Sequence, residues 1–335
     1  MNILVTGGAG FIGSNFIDYL LKTDLHSNVI NLDALTYAGN LQNTALFKNN
    51  NRYSFVEGDI CDTILVDKLF NKHVIDAVVH FAAETHVDKS IDGPGAFIKT
   101  NIEGTFVLLE AARKSWLDGH HKAKKGFKMA RFHHISTDEV YGSLGLEGYF
   151  TESTSYAPNS PYSSSKASSD FLVRSYYHTY GLNVVTTNCS NNYGPQQNDE
   201  KLIPTIIRNA ILGNKIPIYG DGKNIRDWLY VTDHCKGIWE VFKKGKTGDT
   251  YLFGGNAEYT NLRIADKICA LLDNKIPKKE GNYKDQITFV KDRAGHDYRY
   301  AIDYSKVEKE IGWRPEEYFE SGIAKTIEWY IKKYS

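Results

Sequence analysis

Tyr162 and Lys166 are the first residues in this sequence whose types and spacing could do chemistry. They are four residues apart in a segment with helical apolar spacing, so both side chains lie on one face, one turn apart. A lysine ammonium would lower the pKa of the Tyr162 phenol and make it a base for a hydroxyl group. Ser136 and Thr137, at the end of a predicted strand, would supply a hydroxyl to the same oxygen. Taken alone, the pair also fits an ordinary surface contact.

A glycine turn near the N-terminus predicts a cofactor site. Gly7, Gly10 and Gly13 follow a predicted strand and open a helix. Without side chains they allow a tight turn and bring backbone N–H groups against a pyrophosphate. Asp33 ends the next strand about 20 residues after Gly13, where a carboxylate would bind a ribose and repel a 2'-phosphate. The pattern favours NAD over NADP; the alternative is a structural turn in which Asp33 caps a helix.

The elements that must position these residues alternate between strand and helix. Apolar runs predict strands at Asn2–Thr6, Val29–Leu32, Tyr53–Glu57, Ala77–Phe81 and Phe132–Ser136. Helical spacing lies between them, as at Thr105–Lys114. Such alternation predicts an α/β fold, a Rossmann-type doubly wound parallel sheet that binds ligands beyond the carboxyl ends of its strands.

After about Asn191 the alternation gives way to shorter elements, which predicts a smaller C-terminal α/β substrate lobe. A helix is predicted at Trp228–Lys243 and a strand at Thr250–Gly255. We therefore predict a NAD-binding domain of residues 1–190, to which 228–256 returns, and a nucleotide-sugar-binding lobe of residues 191–227 and 257–335. The charged run His120–Lys128 is predicted to be a solvated surface loop.

Four motifs resemble the extended short-chain dehydrogenase/reductase family over essentially the whole chain. They are GGAGFIG at Gly7–Gly13, HFAA at His80–Ala83, STDEVYG at Ser136–Gly142 and YSSSK at Tyr162–Lys166. The resemblance implies a Rossmann domain, bound NAD and a homodimer built from two helices per subunit, near Thr105–Lys114 and Tyr162–Tyr180. An oxidised nicotinamide would then help Lys166 to lower the pKa of Tyr162.

Asp138 and Glu139 are adjacent carboxyls where many members of this family carry small residues. Oxidation of a sugar at C4 acidifies its C5 proton, which Glu139 could remove while a protonated Asp138 protonates the departing 6-hydroxyl. Both reach one sugar only if the strand ends at about Thr137, because neighbours in a strand face opposite sides. Otherwise Asp138 caps a helix or Glu139 faces solvent. The TDEVYG motif resembles that of the dTDP-glucose 4,6-dehydratases, whose acid and base fall on these two positions.

The cofactor residues that we predict follow the glycine turn and the ends of the next strands. They are Gly7, Gly10, Phe11, Ile12, Gly13, Asp33, Leu35, Thr36, Asp59, Ile60, Phe81, Ala82, Ala83, Thr100, Tyr162, Lys166 and Asn192. Asp59 fits a turn residue equally well.

The resemblance also implies a site for a nucleotide sugar, dTDP-glucose being the expected substrate. Its residues are Thr85, Ser90, Thr137, Asn191, Lys201, Leu202, Arg226, Asn261, Arg293 and His296. Arg226 would clamp the diphosphate, and Arg293 and His296 would reach phosphate or nucleoside. The chain has Ala294 where the family usually has proline, so the loop carrying Arg293 is expected to be less rigid.

Composition narrows the class of protein. Forty basic residues balance forty acidic ones, so no global charge recruits nucleic acid or an anionic membrane. A hydrophobic share of 41% can build a core and argues against a membrane protein or a long disordered chain. The four cysteines are scattered and no export signal is visible, which favours a cytoplasmic protein with reduced thiols. Isolated histidines such as His86 predict no metal site.

The expected function is therefore dehydration of dTDP-glucose to a 4-keto-6-deoxy sugar by an NAD-dependent lyase. Three alternatives stay open at this point. The chain could be a UDP-glucose 4,6-dehydratase, a nucleotide-sugar 4-epimerase, or a NAD-binding regulatory protein without turnover. The intact Tyr162 and Lys166 argue against the last.

Overall fold

The computed structural model describes residues 1–334 of the chain. The strands of these residues are β1 (Asn2–Thr6), β2 (Asn28–Asp33), β3 (Tyr53–Glu57), β4 (Ala77–His80), β5 (Leu117–Gly119), β6 (Lys122–Ala123), β7 (Arg131–Thr137), β8 (Val184–Cys189), β9 (Asn191–Tyr193), β10 (Ile216–Tyr219), β11 (Ile225–Tyr230), β12 (Thr250–Phe253), β13 (Glu258–Thr260) and β14 (Ile287–Val290).

The α-helices are α1 (Phe11–Thr23), α2 (Thr63–His73), α3 (Val87–Asp92), α4 (Pro94–Phe97), α5 (Thr105–Trp116), α6 (Pro161–Tyr180), α7 (Leu202–Ile211), α8 (Val231–Lys244), α9 (Asn261–Lys275), α10 (Ser305–Ile311) and α11 (Phe319–Tyr334). Short 3-10 turns lie at Leu41–Thr44, Asp138–Tyr141 and Tyr283–Gln286, and a π-helical segment at Ile98–Gly104 joins α4 to α5.

The central sheet has seven strands in the order β12-β8-β7-β4-β1-β2-β3, and every neighbouring pair is parallel. The six strands predicted from the sequence all belong to it. Five have ends that differ by one residue at most, and the sixth, predicted at Thr250–Gly255, ends two residues earlier, at Phe253. The doubly wound parallel sheet is therefore confirmed. Because the strands are parallel, their carboxyl ends lie at the same edge of the sheet. The last residues of β1, β2, β4 and β7 at this edge are Thr6, Asp33, His80 and Thr137.

Helices cover both faces of this sheet. On one face α1 packs against α8, and the fully buried Phe16, Leu20 and Val241 belong to one apolar cluster. On the other face α2, α5 and α6 bury a second cluster that contains Leu108 and Phe132. Burial of each large apolar side chain stabilises the folded state by about 1.5–3 kcal/mol. The helices on both faces therefore hold the sheet rigidly, including the edge that carries the site.

Five further strands and three helices form a smaller lobe. Strands β13, β11 and β9 make a three-stranded sheet, β10 pairs with β14, and α7, α9 and α11 surround a separate apolar cluster. The helix predicted at Trp228–Lys243 begins later, at Val231, because Trp228–Tyr230 pair with Asn191–Tyr193. Strand β12 lies in the large sheet, next to β8. The exact division of the chain into two domains stays a prediction.

Two further features concern the outside of the molecule. The basic run His120–Lys128, predicted to be a loop, contains β6, which pairs with β5 in a short hairpin. Within residues 1–334, none of the helices combines the length and the apolar character needed to cross a membrane.

Candidate active site

The glycine turn lies where β1 ends and α1 begins. Gly7 has a φ of +72° and donates its N–H to the carbonyl oxygen of Leu32 at 2.9 Å. A Cβ on Gly7 would lie 2.7 Å from the backbone nitrogen of Ala82, and one on Gly13 would collide with the Gly7 carbonyl oxygen. Only glycine fits the backbone at these two positions, as the sequence predicts.

Asp33 holds this turn with its carboxylate. Oδ2 accepts the backbone N–H of Ala9 at 2.9 Å and Oδ1 accepts that of Leu35 at 2.9 Å. Burial raises the pKa of Asp33, and these two hydrogen bonds oppose the rise. Leu35 takes up a positive φ of 49° beside this carboxylate.

Tyr162 and Lys166 lie in the first turns of α6, on one face as predicted. Ser160 and Ser163 form a capping box at the start of this helix, with Pro161 at its first position. The Lys166 ammonium donates to the Ile135 carbonyl oxygen at 2.8 Å, which ties the helix to β7. Burial lowers the pKa of Lys166 to about 8.

The Tyr162 phenol differs from the sequence expectation. Burial, followed by the nearby charge of Glu139, raises its pKa well above the usual value. The ammonium of Lys166 is bound to a backbone carbonyl on β7 and does not offset this rise. The chain's own groups therefore keep Tyr162 protonated, and a further positive charge next to the phenol would be needed to lower its pKa.

Asp138 and Glu139 follow directly on the end of β7. The strand stops at Thr137 and the chain enters a 3-10 turn, which removes the alternation that would have separated the two side chains. Thr137 Oγ1 caps the turn by accepting the Glu139 N–H at 3.3 Å and lies 3.3 Å from Asp138 Oδ1. Both carboxyls line one cavity with Tyr162 and Lys166.

The two acids have different electrostatic surroundings. Burial, and then the charge of Glu139, raises the pKa of Asp138 well above its usual range. Burial also raises the pKa of Glu139, but the positive charges of Lys201 and Arg226 oppose it. Asp138 Oδ2 is buried and has no hydrogen-bond partner among the described residues. Asp138 is thus suited to hold a proton and Glu139 to lose one.

The same cavity is lined by most of the residues that the sequence analysis selected. Besides the five predicted catalytic residues, they are Gly7, Gly10, Phe11, Ile12, Gly13, Asp33, Thr36, Asp59, Ile60, Phe81, Ala82, Ala83, Thr85, Thr100, Asn191, Asn192 and Lys201. Lys201 Nζ reaches across to the Thr85 carbonyl oxygen at 2.9 Å, and so joins the lobe to the loop after β4.

The other selected residues lie off this wall: Leu35, Ser90, Leu202, Arg226, Asn261, Arg293 and His296. Leu202 and Asn261 are the first residues of α7 and α9, and Ser90 Oγ donates to the Val87 carbonyl oxygen. Their roles stay predictions.

Arg226, Arg293 and His296, the three basic residues of this group, each contact an oxygen atom of an aspartate in the lobe or in α3. The Arg226 guanidinium donates to the carbonyl oxygen of Asp297 at 2.9 Å and lies 4.2 Å from the Tyr300 ring centre. Arg293 Nε lies 3.1 Å from a carboxylate oxygen of Asp88. His296 Nδ1 lies 2.6 Å from Asp292 Oδ1. Arg226 remains close enough to oppose the rise in the pKa of Asp138.

Among the lining residues that the sequence analysis missed are Glu84, Cys189, Ser190, Gln197, Asn198 and Glu200. Gln197 donates to the Asn192 carbonyl oxygen at 2.8 Å, so it supports a residue that was predicted. The signal that could have found it is the polar run PQQND directly after NNYG. No group of three metal-ligating side chains occurs within residues 1–334.

A doubly wound parallel sheet, a glycine turn after β1 and a Tyr/Lys pair one helical turn apart define a short-chain dehydrogenase/reductase of the extended class. Residues 4–326 match the family described as GDP-mannose 4,6 dehydratase. The chain belongs to this family.

Individual relatives narrow the comparison. A dTDP-glucose 4,6-dehydratase of Xanthomonas campestris is 56% identical over 98% of this chain and 92% of its own length. The crystal structure of a dTDP-glucose 4,6-dehydratase from Streptomyces venezuelae with NAD bound is 44% identical, with a TM-score of 0.90 over 99% of this chain and 97% of that one. A UDP-glucose 4-epimerase of Thermotoga maritima has a TM-score of 0.87 over the whole of both chains but only 28% identity. The fold is thus common to dehydratases and epimerases, and the sequence is much more similar to the dehydratases.

Proposed function

We propose that this chain is an NAD-dependent lyase that converts dTDP-glucose to dTDP-4-keto-6-deoxyglucose. The observation that carries the proposal is the 3-10 turn after Thr137, which brings Asp138 and Glu139 into one cavity with Tyr162 and Lys166. High identity to proteins named dTDP-glucose 4,6-dehydratase over nearly the full chain supports the same reaction and substrate. Neither the UDP-glucose dehydratase nor the epimerase alternative has comparable support.

The residues present fit NAD. The glycine turn leaves room for a pyrophosphate where any Cβ on Gly7 or Gly13 would clash with backbone atoms. The Asp33 carboxylate lines the same cavity one strand further on, where it favours a free ribose hydroxyl and disfavours a phosphate. We assign the predicted cofactor residues on this wall to NAD, including Asn192, Tyr162 and Lys166.

The first step is removal of the proton from the sugar 4-hydroxyl. Tyr162 takes this proton, Thr137 hydrogen-bonds the same oxygen, and Lys166 holds the local charge positive. NAD held at this site would supply the hydride acceptor for C4, the hydride donor for C6 and the positive charge that Tyr162 needs in order to ionise. The high pKa of Tyr162 makes its phenolate a strong base once the phenol is ionised.

The second step is loss of water across C5 and C6. Glu139 removes the C5 proton, which is acidic because C4 is now a ketone, and Asp138 gives its proton to the departing 6-hydroxyl. The opposed electrostatic surroundings of the two carboxyls support this assignment. When the hydride is added at C6, C5 takes a proton, which Glu139 returns. Asp138 is then left ionised and Tyr162 protonated, so one proton must pass from Tyr162 to Asp138, directly or by way of solvent, before the next turnover.

The residues of the lobe are assigned to the nucleotide sugar. Asn191, Thr85 and Lys201 line the cavity and would contact the hexose or its phosphates. Arg226, Arg293 and His296 would bind the diphosphate and nucleoside, with Ser90, Leu202 and Asn261 supporting them. Arg293 would have to exchange its carboxylate partner Asp88 for phosphate oxygens.

We further infer a homodimer formed by the exposed faces of α5 and α6, which pack side by side. Phe106 on α5 and Phe171 on α6 are 46% and 57% exposed, which is unusual for two aromatic side chains on adjacent helices. The cytoplasm is the proposed compartment, on the four cysteines that form no disulfide among the described residues.

Purified protein incubated with NAD and dTDP-glucose tests the proposal. We expect a 4-keto product, detected by its absorbance in alkali, and a much slower reaction with UDP-glucose. An epimerase would instead release the C4 epimer without a keto sugar. Absence of any keto product with dTDP-glucose would contradict the proposal.

A further inference from the structure

Asp170 occupies a buried polar cluster beneath the floor of the cavity. It lies on α6 one turn beyond Lys166, and its side chain is 4% exposed. Its Oδ2 accepts hydrogen bonds from Tyr156 Oη at 2.8 Å, Ser136 Oγ at 2.9 Å and Asn188 Nδ2 at 3.1 Å. One carboxylate oxygen thus joins β7, β8, α6 and the segment before α6. A carboxylate so deeply buried needs a positive charge close by.

His134 and Lys166 are the basic side chains that face this carboxylate. His134 Nε2 lies 3.1 Å from Asp170 Oδ1, but burial, followed by the charge of Lys166, lowers the pKa of His134 to about 4. His134 is therefore neutral at pH 7. Burial works against ionised Asp170, but the neighbouring His134, the charge of Lys166 and the Ser136 hydrogen bond lower its pKa overall. Lys166 is left as the cation that balances Asp170 at neutral pH.

The same cluster fixes the last three residues of β7. Lys166 Nζ binds the carbonyl oxygen of Ile135, and Asp170 binds the hydroxyl of Ser136. Asn188 Nδ2 bridges Asp170 and the carbonyl oxygen of Thr137, at 3.1 Å and 3.0 Å. Thr137 begins the turn that carries both catalytic acids, so the position of that turn depends on these contacts.

We propose that Asp170 is a positioning residue, whose buried carboxylate keeps Lys166 protonated and fixes the end of β7 that carries Thr137. The inference rests on the proposed function, because it gives Lys166 and Thr137 their roles in the first step. It assigns Asp170 no contact with substrate or cofactor.

Other titratable groups around the pair do not ionise in the range that matters. Burial, followed by the charge of Asp170, raises the pKa of both Tyr141 and Tyr156 far above neutrality. Burial also raises the pKa of Cys189, which faces Lys166. His80 on β4 is neutral because burial, followed by the nearby His134, lowers its pKa well below the usual value. Asp138 and Tyr162 also change protonation state in the proposed mechanism, so the part of the alkaline limb that moves when Asp170 is changed is the part that reports on Lys166.

The test is the pH profile of kcat/KM for Asp170→Asn. Activity needs protonated Lys166, so it is lost as the pH rises through the pKa of Lys166, which is about 8 in the native protein. Without the carboxylate that pKa falls, and we expect the alkaline limb to move to lower pH by about 1–3 units. The amide that replaces the carboxylate can still accept from Ser136 and Asn188 and can donate to neutral His134.

Two matched variants separate charge from packing. Tyr156→Phe removes one hydrogen bond to the same oxygen but leaves the charge, and we expect its alkaline limb to stay where it is in the wild type. Asp170→Glu keeps the negative charge, so the alkaline limb of its kcat/KM profile should lie close to that of the wild type. An unmoved limb in Asp170→Asn, or an equal shift in Tyr156→Phe, would overturn the proposal. A wild type without keto product contradicts the proposed function instead.

Thermal unfolding gives an answer that does not depend on activity. If Asp170→Asn is destabilised or fails to fold, the cause that we propose is the unpaired ammonium of Lys166. The double variant with Lys166→Met should then recover much of the lost melting temperature. A double variant as unstable as Asp170→Asn alone would show that the carboxylate acts only through its hydrogen bonds, and the proposal would be wrong.

Discussion

Glu139 and Asp138 illustrate how two identical functional groups acquire different tasks from their surroundings. Asp138 is buried and Glu139 half-buried. The charges of Lys201, Arg226 and Arg293 oppose the rise in the pKa of Glu139. At Asp138 the charge of Glu139 adds to the rise, and Arg226 opposes it. Burial raises the pKa of both carboxyls, and these neighbours make the two surroundings unequal. The identity of the residues could be predicted from the sequence, but their unequal surroundings could not, since Lys201 and Arg226 come from distant segments.

Replacing Glu139 by Gln should stop elimination without stopping C4 oxidation. The amide cannot remove the C5 proton, so product formation is expected to fall by at least about 10²-fold. The hydride should remain on the cofactor, seen as persistent NADH absorbance. Glu147→Gln, an exposed acid in the following loop, is the control and should behave as the wild type. Normal turnover in Glu139→Gln would contradict its role as base.

Replacing Tyr162 by Phe should block the reaction one step earlier. Without the phenol the 4-hydroxyl proton has no base, so a loss of about 10²–10⁴-fold is expected in the rate of NADH formation on mixing with substrate. Tyr149→Phe, which changes an exposed tyrosine, should leave that rate intact. NADH formation at the wild-type rate in Tyr162→Phe would remove Tyr162 from the mechanism.

Asp138 should lower the free energy of unfolding at neutral pH. Its pKa is raised in the folded protein, so the unfolded chain gives up this proton more readily as the pH rises above the ordinary carboxyl pKa. The free energy of unfolding then falls by about 1.4 kcal/mol for each pH unit until the folded pKa is reached. The Asp138→Asn variant does not lose this free energy, because an amide does not ionise.

We therefore expect Asp138→Asn to be inactive but to melt at a higher temperature than the wild type at pH 7, with the difference shrinking towards pH 4. Differential scanning calorimetry across this range measures it. Asp92→Asn, at an exposed position at the end of α3, is the control for a change of net charge. A melting temperature below that of the wild type at pH 7 would show that ionised Asp138 stabilises the fold.

At the scale of elements, the glycine turn gives a direct test of cofactor binding. Gly7→Ala must hold φ near +72° and bring its Cβ against the backbone of Ala82, which costs about 1–3 kcal/mol of strain or shifts the turn. We expect purified Gly7→Ala to retain much less NAD than the wild type. Gly145→Ala, at a position where an added Cβ meets no atom within 4 Å, is the matched control.

Elements with a clear period or a motif could be predicted, and elements stabilised by distant partners could not. Strand β8 was missed because its residues Val184–Cys189 include three polar side chains, although all six are buried. Its Asn188 is polar because it binds Asp170 and Thr137, which no local pattern reveals. The start of α8 was misplaced for a similar reason, since β9 recruits Trp228–Tyr230 into a sheet.

The site follows the same rule. Residues at the ends of β1, β2, β4 and β7 could be predicted because a parallel sheet gathers them at one edge. Glu84 and Gln197 were missed, because they reach the wall through loops whose path the sequence does not specify. Arg293 was selected by motif, yet the structure pairs it with Asp88 away from the wall.

At the scale of the whole molecule, the apolar faces of α5 and α6 predict self-association. Phe106→Glu combined with Phe171→Glu places charges on these faces and should convert a dimer to a monomer, measured by sedimentation velocity. Ile64→Glu, which is 83% exposed on α2, is the control and should not change the mass. An unchanged dimer in the double variant would exclude this pair of helices as the interface.

The seam between β8 and β12 has a consequence for how the chain is made. Strand β8 is completed at Cys189, but its outer neighbour, Thr250–Phe253, leaves the ribosome about 3 to 12 seconds later at the usual rate of about 5–20 residues per second. During that interval the hydrogen-bonding groups on one side of β8 are open to any other extended peptide. A nascent or truncated polypeptide that stops before Thr250 is therefore the form most prone to aggregate, and the one that a chaperone would have to shield.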